Sequence, residues 1–399
     1  MKKNGILKTL ILCLVAAALA VSTLVFAACN KPGDNTDDVK EVTLSVKESA
    51  ATIGVGSTYE IKATAENTEE KIVFASESEQ IASVTEEGVV TGLTAGETTI
   101  TVSVADKTQT VAITVADYLV DEKAKTVDIY CKEGLIAFAD RIGSRSVKMY
   151  NYTVNVLSDV DLGGAEWTPM YGYALVGATF DGNGHKISNF SVTEEINCAT
   201  RMDGASISCI GFVGGTIGMT FKNVSFENVT VETSAEGYCG IVVGYMEGAG
   251  TFDNVTVRNG KIFAVNSRRG GAPLCGYAHG AQVDGKAFLD VHGCTIENVE
   301  VISKRATGLV ARVEENAVVG SSGSGFMSVT IENNTVKNCV FRCVDAFSSN
   351  ETATLHWATT LPSRSIGSIV DEKNTFSDNR YFFDKIEYFY GNGAFTKAE

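Results

Sequence analysis

The stretch Gly184-His185-Lys186-Ile187-Ser188-Asn189-Phe190-Ser191-Val192 recurs along the chain, with further copies starting at Asn223, Asn254, Gly293, Asn333 and, more weakly, Asn374. The sixth position of every copy is asparagine: Asn189, Asn228, Asn259, Asn298, Asn338 and Asn379. Successive asparagines are 39, 31, 39, 40 and 41 residues apart, the spacing of a supersecondary repeat. The first position accepts only Gly or Asn and the sixth only Asn, the residues that best tolerate a left-handed backbone, so both read as corners. Between them the second and fourth positions are mostly apolar (Val224 and Phe226, Val255 and Val257, Cys294 and Ile296), as in a strand with one buried face. Beyond the Asn the apolar positions become the seventh and ninth, as in Val229 and Val231, so the inward parity slips where a strand turns a corner.

Each copy also follows a Gly-rich apolar stretch: Ile210-Gly211-Phe212-Val213-Gly214, Gly240-Ile241-Val242-Val243-Gly244, Leu274-Cys275-Gly276-Tyr277, Gly308-Leu309-Val310-Ala311 and Gly367-Ser368-Ile369-Val370. These read as a second strand per repeat, pairing in parallel one rung away at about 4.8 Å. No long helical pattern supplies the crossovers that parallel strands need, so the coil itself must supply them. The outward fifth position reads Ser188, Glu227, Arg258, Glu297, Lys337, Asp378, alternating in sign from the second copy, as stacked rungs in register require. The six asparagines are expected to stack as an amide ladder.

The segment Val154-Asn155-Val156-Leu157-Ser158-Asp159-Val160-Asp161-Leu162-Gly163-Gly164, then Glu166-Trp167-Thr168-Pro169-Met170 and Gly177-Ala178-Thr179-Phe180-Asp181-Gly182-Asn183-Gly184-His185, resembles the opening of bacterial surface proteins with a right-handed parallel β-helix, including those carrying the Gly-Leu-x-Gly (GLUG) repeat. The resemblance, which extends to pectate-lyase-like folds, implies a solenoid over 151–380 with a terminal cap or tail over 381–399. Departures are Ser377 at an apolar fourth position, the insertion Arg268-Arg269-Gly270-Gly271, and the Gly-Ser stretch 320–325.

The N-terminal end reads as an export signal. Lys2, Lys3 and Lys8 precede an uncharged run from Thr9 to Ala28 that ends in Phe26-Ala27-Ala28-Cys29. Residues 1–28 read as a signal peptide and Cys29 resembles the lipidated cysteine of a bacterial lipobox, with Phe26 where that motif favours Leu. An uncleaved transmembrane helix is the alternative. Residues 29–40 are polar and read as a flexible tether.

Residues 41–117 read as a small all-β sandwich. Apolar alternation at Val42, Leu44, Val46, at Tyr59, Ile61, Ala63 and at Ile100, Val102, Val104 is punctuated by glycines. The run from Ile81 to Val102, with Gly54-Val55-Gly56 and Phe74-Ala75-Ser76 before it, resembles the bacterial Ig-like domain of group 2 (Big2), in which Trp is usual at the place of Phe74. That resemblance implies either a spacer or a ligand-binding module. Residues 118–150 form a joint in which Leu135, Phe138, Ala139 and Ile142 fall at helical spacing, predicting a short helix that caps the open end of the solenoid.

The net charge of −15 argues against nucleic acid as a partner. Ten cysteines become eight once Cys13 and Cys29 are set aside; without Cys-x-x-Cys spacing they read as core thiols, with disulfides as the alternative in an exported chain. His185 reads as the occupant of an inward slot. Asp181 and Asn183 are the calcium candidates, although a Gly-rich turn also uses such groups to bond its own backbone; no cofactor is expected. The acidic groupings Asp284, Asp290 with His292, and Glu314 with Glu315, lack catalytic spacing, and no catalytic residue is assigned. Trp167, Tyr171, Tyr277 and Trp357 are the candidate ligand-contact aromatics, with core packing as the competing reading. The sequence therefore favours a surface lipoprotein anchored in the membrane and acting in adhesion or in binding glycans, envelope or host components. A polysaccharide lyase or hydrolase, and a purely structural envelope protein, are the alternatives.

Overall fold

The computed structural model describes residues 40–200, 206–267, 270–279, 288–313, 317–319, 327–344, 359–360, 373–383, 385–391 and 394–398. These are mostly β-strand, with one α-helix and one 3-10 turn among the described residues. Two separate large cores form, one within residues 44–115 and one within residues 127–388.

The first core belongs to a sandwich. A sheet of four strands (Ala50–Gly54, Lys107–Ala116, Gly96–Val104 and Val73–Ser76, in that order) faces a sheet of three (Thr58–Glu60, Val89–Gly92 and Ala82–Val84), with the pair Thr43–Val46 and Ala63–Glu66 alongside. Alternation places Ile100, Val102 and Val104 inward from one strand and Val111, Ile113 and Val115 from the next. Phe74 lies under Gly88, where a Cβ would come within 2.7 Å of its ring. The missing side chain at Gly88 is what admits the ring.

The second core is enclosed by sheets of twenty, six and four strands, paired mostly in parallel. From Ser206 onward the chain visits them in a fixed order. Ser206–Ile210, Tyr238–Gly240 and Gly271–Ala272 lie in the four-stranded sheet; Val213–Ile217, Val243–Glu247 and Cys275–His279 follow in the six-stranded sheet; Thr220–Glu232, Gly250–Arg258 and Phe288–His292 follow in the twenty-stranded one. Equivalent residues of successive copies pair directly, as in Phe226↔Val257↔Ile296↔Val336. A second inward column runs Phe180↔Phe221↔Phe252, all fully buried, the last two rings stacked 5.6 Å apart.

The Gly-rich stretches differ from expectation. Those at Ile210, Gly240 and Leu274 are not single strands but corners joining two strands of different sheets, as where Tyr238–Gly240 gives way to Val243–Glu247, and Gly367-Ser368-Ile369-Val370 lies outside the described residues. The glycines face backbone rather than side chains: a Cβ on Gly276 would meet the Cys239 amide at 2.5 Å, and one on Gly244 the Gly214 carbonyl at 2.7 Å. Only glycine allows the two sheets to approach so closely.

The joint also differs. The helix Lys132–Gly143 buries Leu135, Phe138 and Ile142 in the second core, as predicted. The residues before it, however, already belong to the large sheet: Tyr118–Asp121 and Thr126–Ile129 form a hairpin whose second strand pairs in parallel with Thr153–Val156. At the far end Arg380–Phe383, Ile386–Gly391 and Ala394–Lys397 pair antiparallel. A hairpin thus turns the parallel stack antiparallel at each end.

Candidate functional site: an aromatic row beside self-paired ladders

The asparagine corners are left-handed, with φ of 58° at Asn189, 56° at Asn228, 52° at Asn259, 55° at Asn298 and 53° at Asn338. Their amides bond in series. Asn228 Nδ2 donates to Asn189 Oδ1 at 2.8 Å, Asn259 to Asn228 at 3.2 Å and Asn298 to Asn259 at 3.2 Å. Asn189 in turn donates to Asp161 Oδ1 at 2.8 Å, which extends the ladder one strand toward the N-terminus.

The sixth copy is shifted by one residue from the sequence reading. Lys337 pairs with Ser377, and the left-handed corner is Asp378 with φ 56°, in place of Asn379. Asn379 turns inward, where its Oδ1 accepts from the Cys339 amide at 2.9 Å and its Nδ2 donates to the Val336 carbonyl at 2.8 Å. In this frame the apolar fourth position is Phe376, and the outward charge row ends on Ser377 rather than Asp378.

That charge row pairs internally. Arg258 lies 3.5 Å from Glu227 and 2.9 Å from Glu297, and Lys337 lies 3.0 Å from Glu297. Lys337 and Arg258 together hold the Glu297 carboxyl below its usual range. A second row, not seen in the sequence, runs Asp181↔Lys222↔Asp253↔His292↔Glu332, also alternating acid with cation or imidazole. Lys222 lies 3.0 Å from Asp181, and His292 lies 3.2 Å from Asp253. The calcium candidate Asp181 also accepts from the Asn183 amide at 2.9 Å and from Asn223 Nδ2 at 3.3 Å, so both of its oxygens are engaged. Among the described residues no grouping of three or more His, Cys, Asp or Glu has metal-holding geometry. Asp284, Glu314 and Glu315 lie outside the described residues.

His185 is not the inward residue expected. Its side chain is 35% exposed and its Nδ1 lies 3.1 Å from Asp159 Oδ1, a partner that an apolar slot would have denied it. Cys131, Cys209, Cys239, Cys275, Cys294, Cys339 and Cys343 carry thiols rather than disulfides. Burial pushes the thiols of Cys275 and Cys294 up to about 12 and that of Cys339 up to about 11. Such thiols stay protonated and unreactive at neutral pH. The side chain of Cys198 and the position of Cys29 lie outside the described residues.

The predicted aromatics separate into three outcomes. Trp167 is interior: it is 5% exposed, stacks 5.1 Å from Phe212 and donates from Nε1 to the Phe212 carbonyl at 2.9 Å. This removes Trp167 from the contact set. Trp357 lies outside the described residues. Tyr171 and Tyr277, far apart in sequence, fall on one outward row of the six-stranded sheet, in the register Tyr171↔Gly215↔Tyr245↔Tyr277.

Around this row gather residues that the sequence reading missed. Tyr238, from the adjoining sheet, stacks 5.3 Å from Tyr245, and His279 lies 5.7 Å from Tyr277. Tyr173 lies 5.7 Å from Tyr171, the Arg145 guanidinium sits 4.5 Å over the Tyr171 ring, and that of Arg312 lies 5.5 Å over Tyr277. The available signal was Tyr at the residue after the second corner glycine, in Gly244-Tyr245 and Gly276-Tyr277. Tyr238, Tyr245 and Tyr277 are buried, whereas Tyr171 and Tyr173 are half-buried and Arg145 is exposed. Burial, then Glu247, raises the Tyr245 phenol well above its ordinary range, so it remains a neutral hydrogen-bonding group. Ring faces beside guanidinium groups suit the C–H faces and polar rims of sugars.

Residues 38–115 match the family of the bacterial Ig-like domain (group 2), which covers the N-terminal sandwich. No curated protein matches the chain. Among the described residues no helix is long and apolar enough to cross a membrane.

Proposed function

We propose that the protein is a surface-displayed binding lipoprotein: Cys29 carries the lipid, the Ig-like module stands over the membrane, and the remainder is a right-handed parallel β-helix that contacts carbohydrate of the envelope or of a host surface. The coil is supported by the fixed order in which the chain visits the three sheets. The observation that carries the binding role is the aromatic row, whose accessible end presents Tyr171 and Tyr173 beside Arg145. The outward charge row of the large sheet argues for binding over hydrolysis. Glycosidic cleavage uses two facing carboxylates about 5–9.5 Å apart, whereas Arg258 stands between Glu227 and Glu297 and neutralises both.

The test is a glycan array probed with the full chain and with Tyr171→Ala and Arg145→Ala. The proposal expects retained glycans that both variants lose. An unchanged signal in the two variants removes this end of the row, and release of sugar products from any arrayed polysaccharide replaces the binding reading with an enzymatic one. Fatty-acid labelling that persists in Cys29→Ser contradicts the anchor.

A further inference from the structure

A module joined to its neighbour by a short linker and a small interface ordinarily moves against it. The junction here is built otherwise. One residue, Asp117, separates the last sandwich strand, Lys107–Ala116, from the first strand of the large sheet, Tyr118–Asp121. The second core grips that residue from several sides. The Tyr130 amide donates to the Asp117 carbonyl at 3.0 Å, and the Cys131 thiol donates to Asp117 Oδ1 at 3.2 Å. Gly134, in the first turn of the capping helix, packs so closely on the same carbonyl that a Cβ would overlap it.

Tyr130 then reaches back into the sandwich. Its ring edge lies against the backbone of Gly54, at the end of Ala50–Gly54, in space that any Cβ at Gly54 would fill. That end of the strand is tied to the linker, since the Val55 amide donates to the Ala116 carbonyl at 3.0 Å. The backbone of Tyr130 is fixed as well, because Ser158 Oγ donates to its carbonyl at 2.6 Å. Gly54, Ala116, Asp117, Tyr130 and Gly134 thus form one continuous contact across the boundary between the two cores.

We infer that the Ig-like module and the large β-domain form a single rigid arm, locked by the Tyr130 ring in the notch that Gly54 leaves open. Tyr130 is a positioning residue. The module is then a strut that fixes the direction in which the aromatic row is presented.

The test uses the full chain with spin labels at two exposed positions, Glu86 on the sandwich and Glu232 on the large domain. Pulsed dipolar spectroscopy reads the distribution of distances between them. A rigid arm gives one narrow distribution, kept in Tyr130→Phe, which retains the ring. Tyr130→Ala, which empties the notch, and Gly54→Leu, which fills it from the other side, are expected to widen the distribution roughly twofold, the freedom ordinary for linked domains. The two substitutions act on opposite sides of the contact, so whichever keeps wild-type circular dichroism decides the matter. A broad distribution in the wild type, or no widening in the folded variant, overturns the inference.

Discussion

At Asn259 two demands fall on one side chain. The backbone is left-handed, with φ 52°, and the amide both donates to Asn228 and accepts from Asn298, each at 3.2 Å. Glycine meets the first demand and not the second, whereas valine meets neither. Asn259→Gly is expected to cost about 2 kcal/mol, from two neutral hydrogen bonds at about 1 kcal/mol each. Asn259→Val adds a further ~1–2 kcal/mol for a β-branched residue at a left-handed corner. Denaturant melts order them, with wild type most stable, then Gly, then Val; equal midpoints for Gly and Val would remove the corner from the account. The buried thiols allow a second check. Cys275, Cys294 and Cys339 are expected to resist iodoacetamide at about pH 8 in the folded protein and to react once it is unfolded. Modification of any of them in the folded state, detected by peptide mass spectrometry, contradicts their burial.

At this scale the sequence was legible where a position accepts one residue type for one physical reason. The strict Asn and the Gly-or-Asn first position announced left-handed corners, and the corners are there. The last copy misled because two asparagines, Asn374 and Asn379, sit where their side chains satisfy interior backbone groups. They imitate the motif one residue out of frame. The loss of an apolar fourth position at Ser377 was the sign of that slip.

Among elements, the rows that run from strand to neighbouring strand carry the electrostatics. Glu297, held below its usual range by Lys337 and Arg258, contributes stability that is present above the ordinary glutamate value of about 4.3 and is lost as pH falls through its lower folded value. Glu297→Gln is therefore expected to lower the melting temperature near neutral pH and to converge with wild type in strong acid, where the native side chain is protonated too. A constant gap across that range would show that the effect is steric. The corners between sheets make a sharper demand. Gly276→Ala places a methyl group 2.5 Å from the Cys239 amide, and overpacking of this kind costs about 1–3 kcal/mol. Guanidinium melts of the full chain measure it, and a wild-type midpoint would mean that the sheets tolerate more separation than the structure shows. The apolar runs were legible but not their division into two strands, because a glycine that admits neighbouring backbone looks the same in sequence as one that merely turns.

For the whole molecule, the sandwich was the most legible part, since its resemblance rested on glycines and apolar alternation, and the family match at residues 38–115 agrees with it. The joint was the least legible. Tyr118–Asp121 and Thr126–Ile129 carry ordinary strand residues, and nothing local announces that the second of them pairs with Thr153–Val156. Nor does the sequence reveal that Tyr171 and Tyr277 share a row, a juxtaposition that arises only when successive copies stack. The central claim is that register, because the ladders, the aromatic row and the proposed β-helix all depend on it. It is tested most directly by cross-linking outward residues that the structure sets opposite one another, Thr256 and Thr295, in the double variant Thr256→Cys/Thr295→Cys. Partners on neighbouring strands lie within disulfide reach, whereas residues displaced along the strand exceed about 7 Å. Mild oxidation is expected to join this pair rapidly and to leave Thr256→Cys/Asp290→Cys unjoined. Cross-linking of the displaced pair in preference to the matched one would contradict the account.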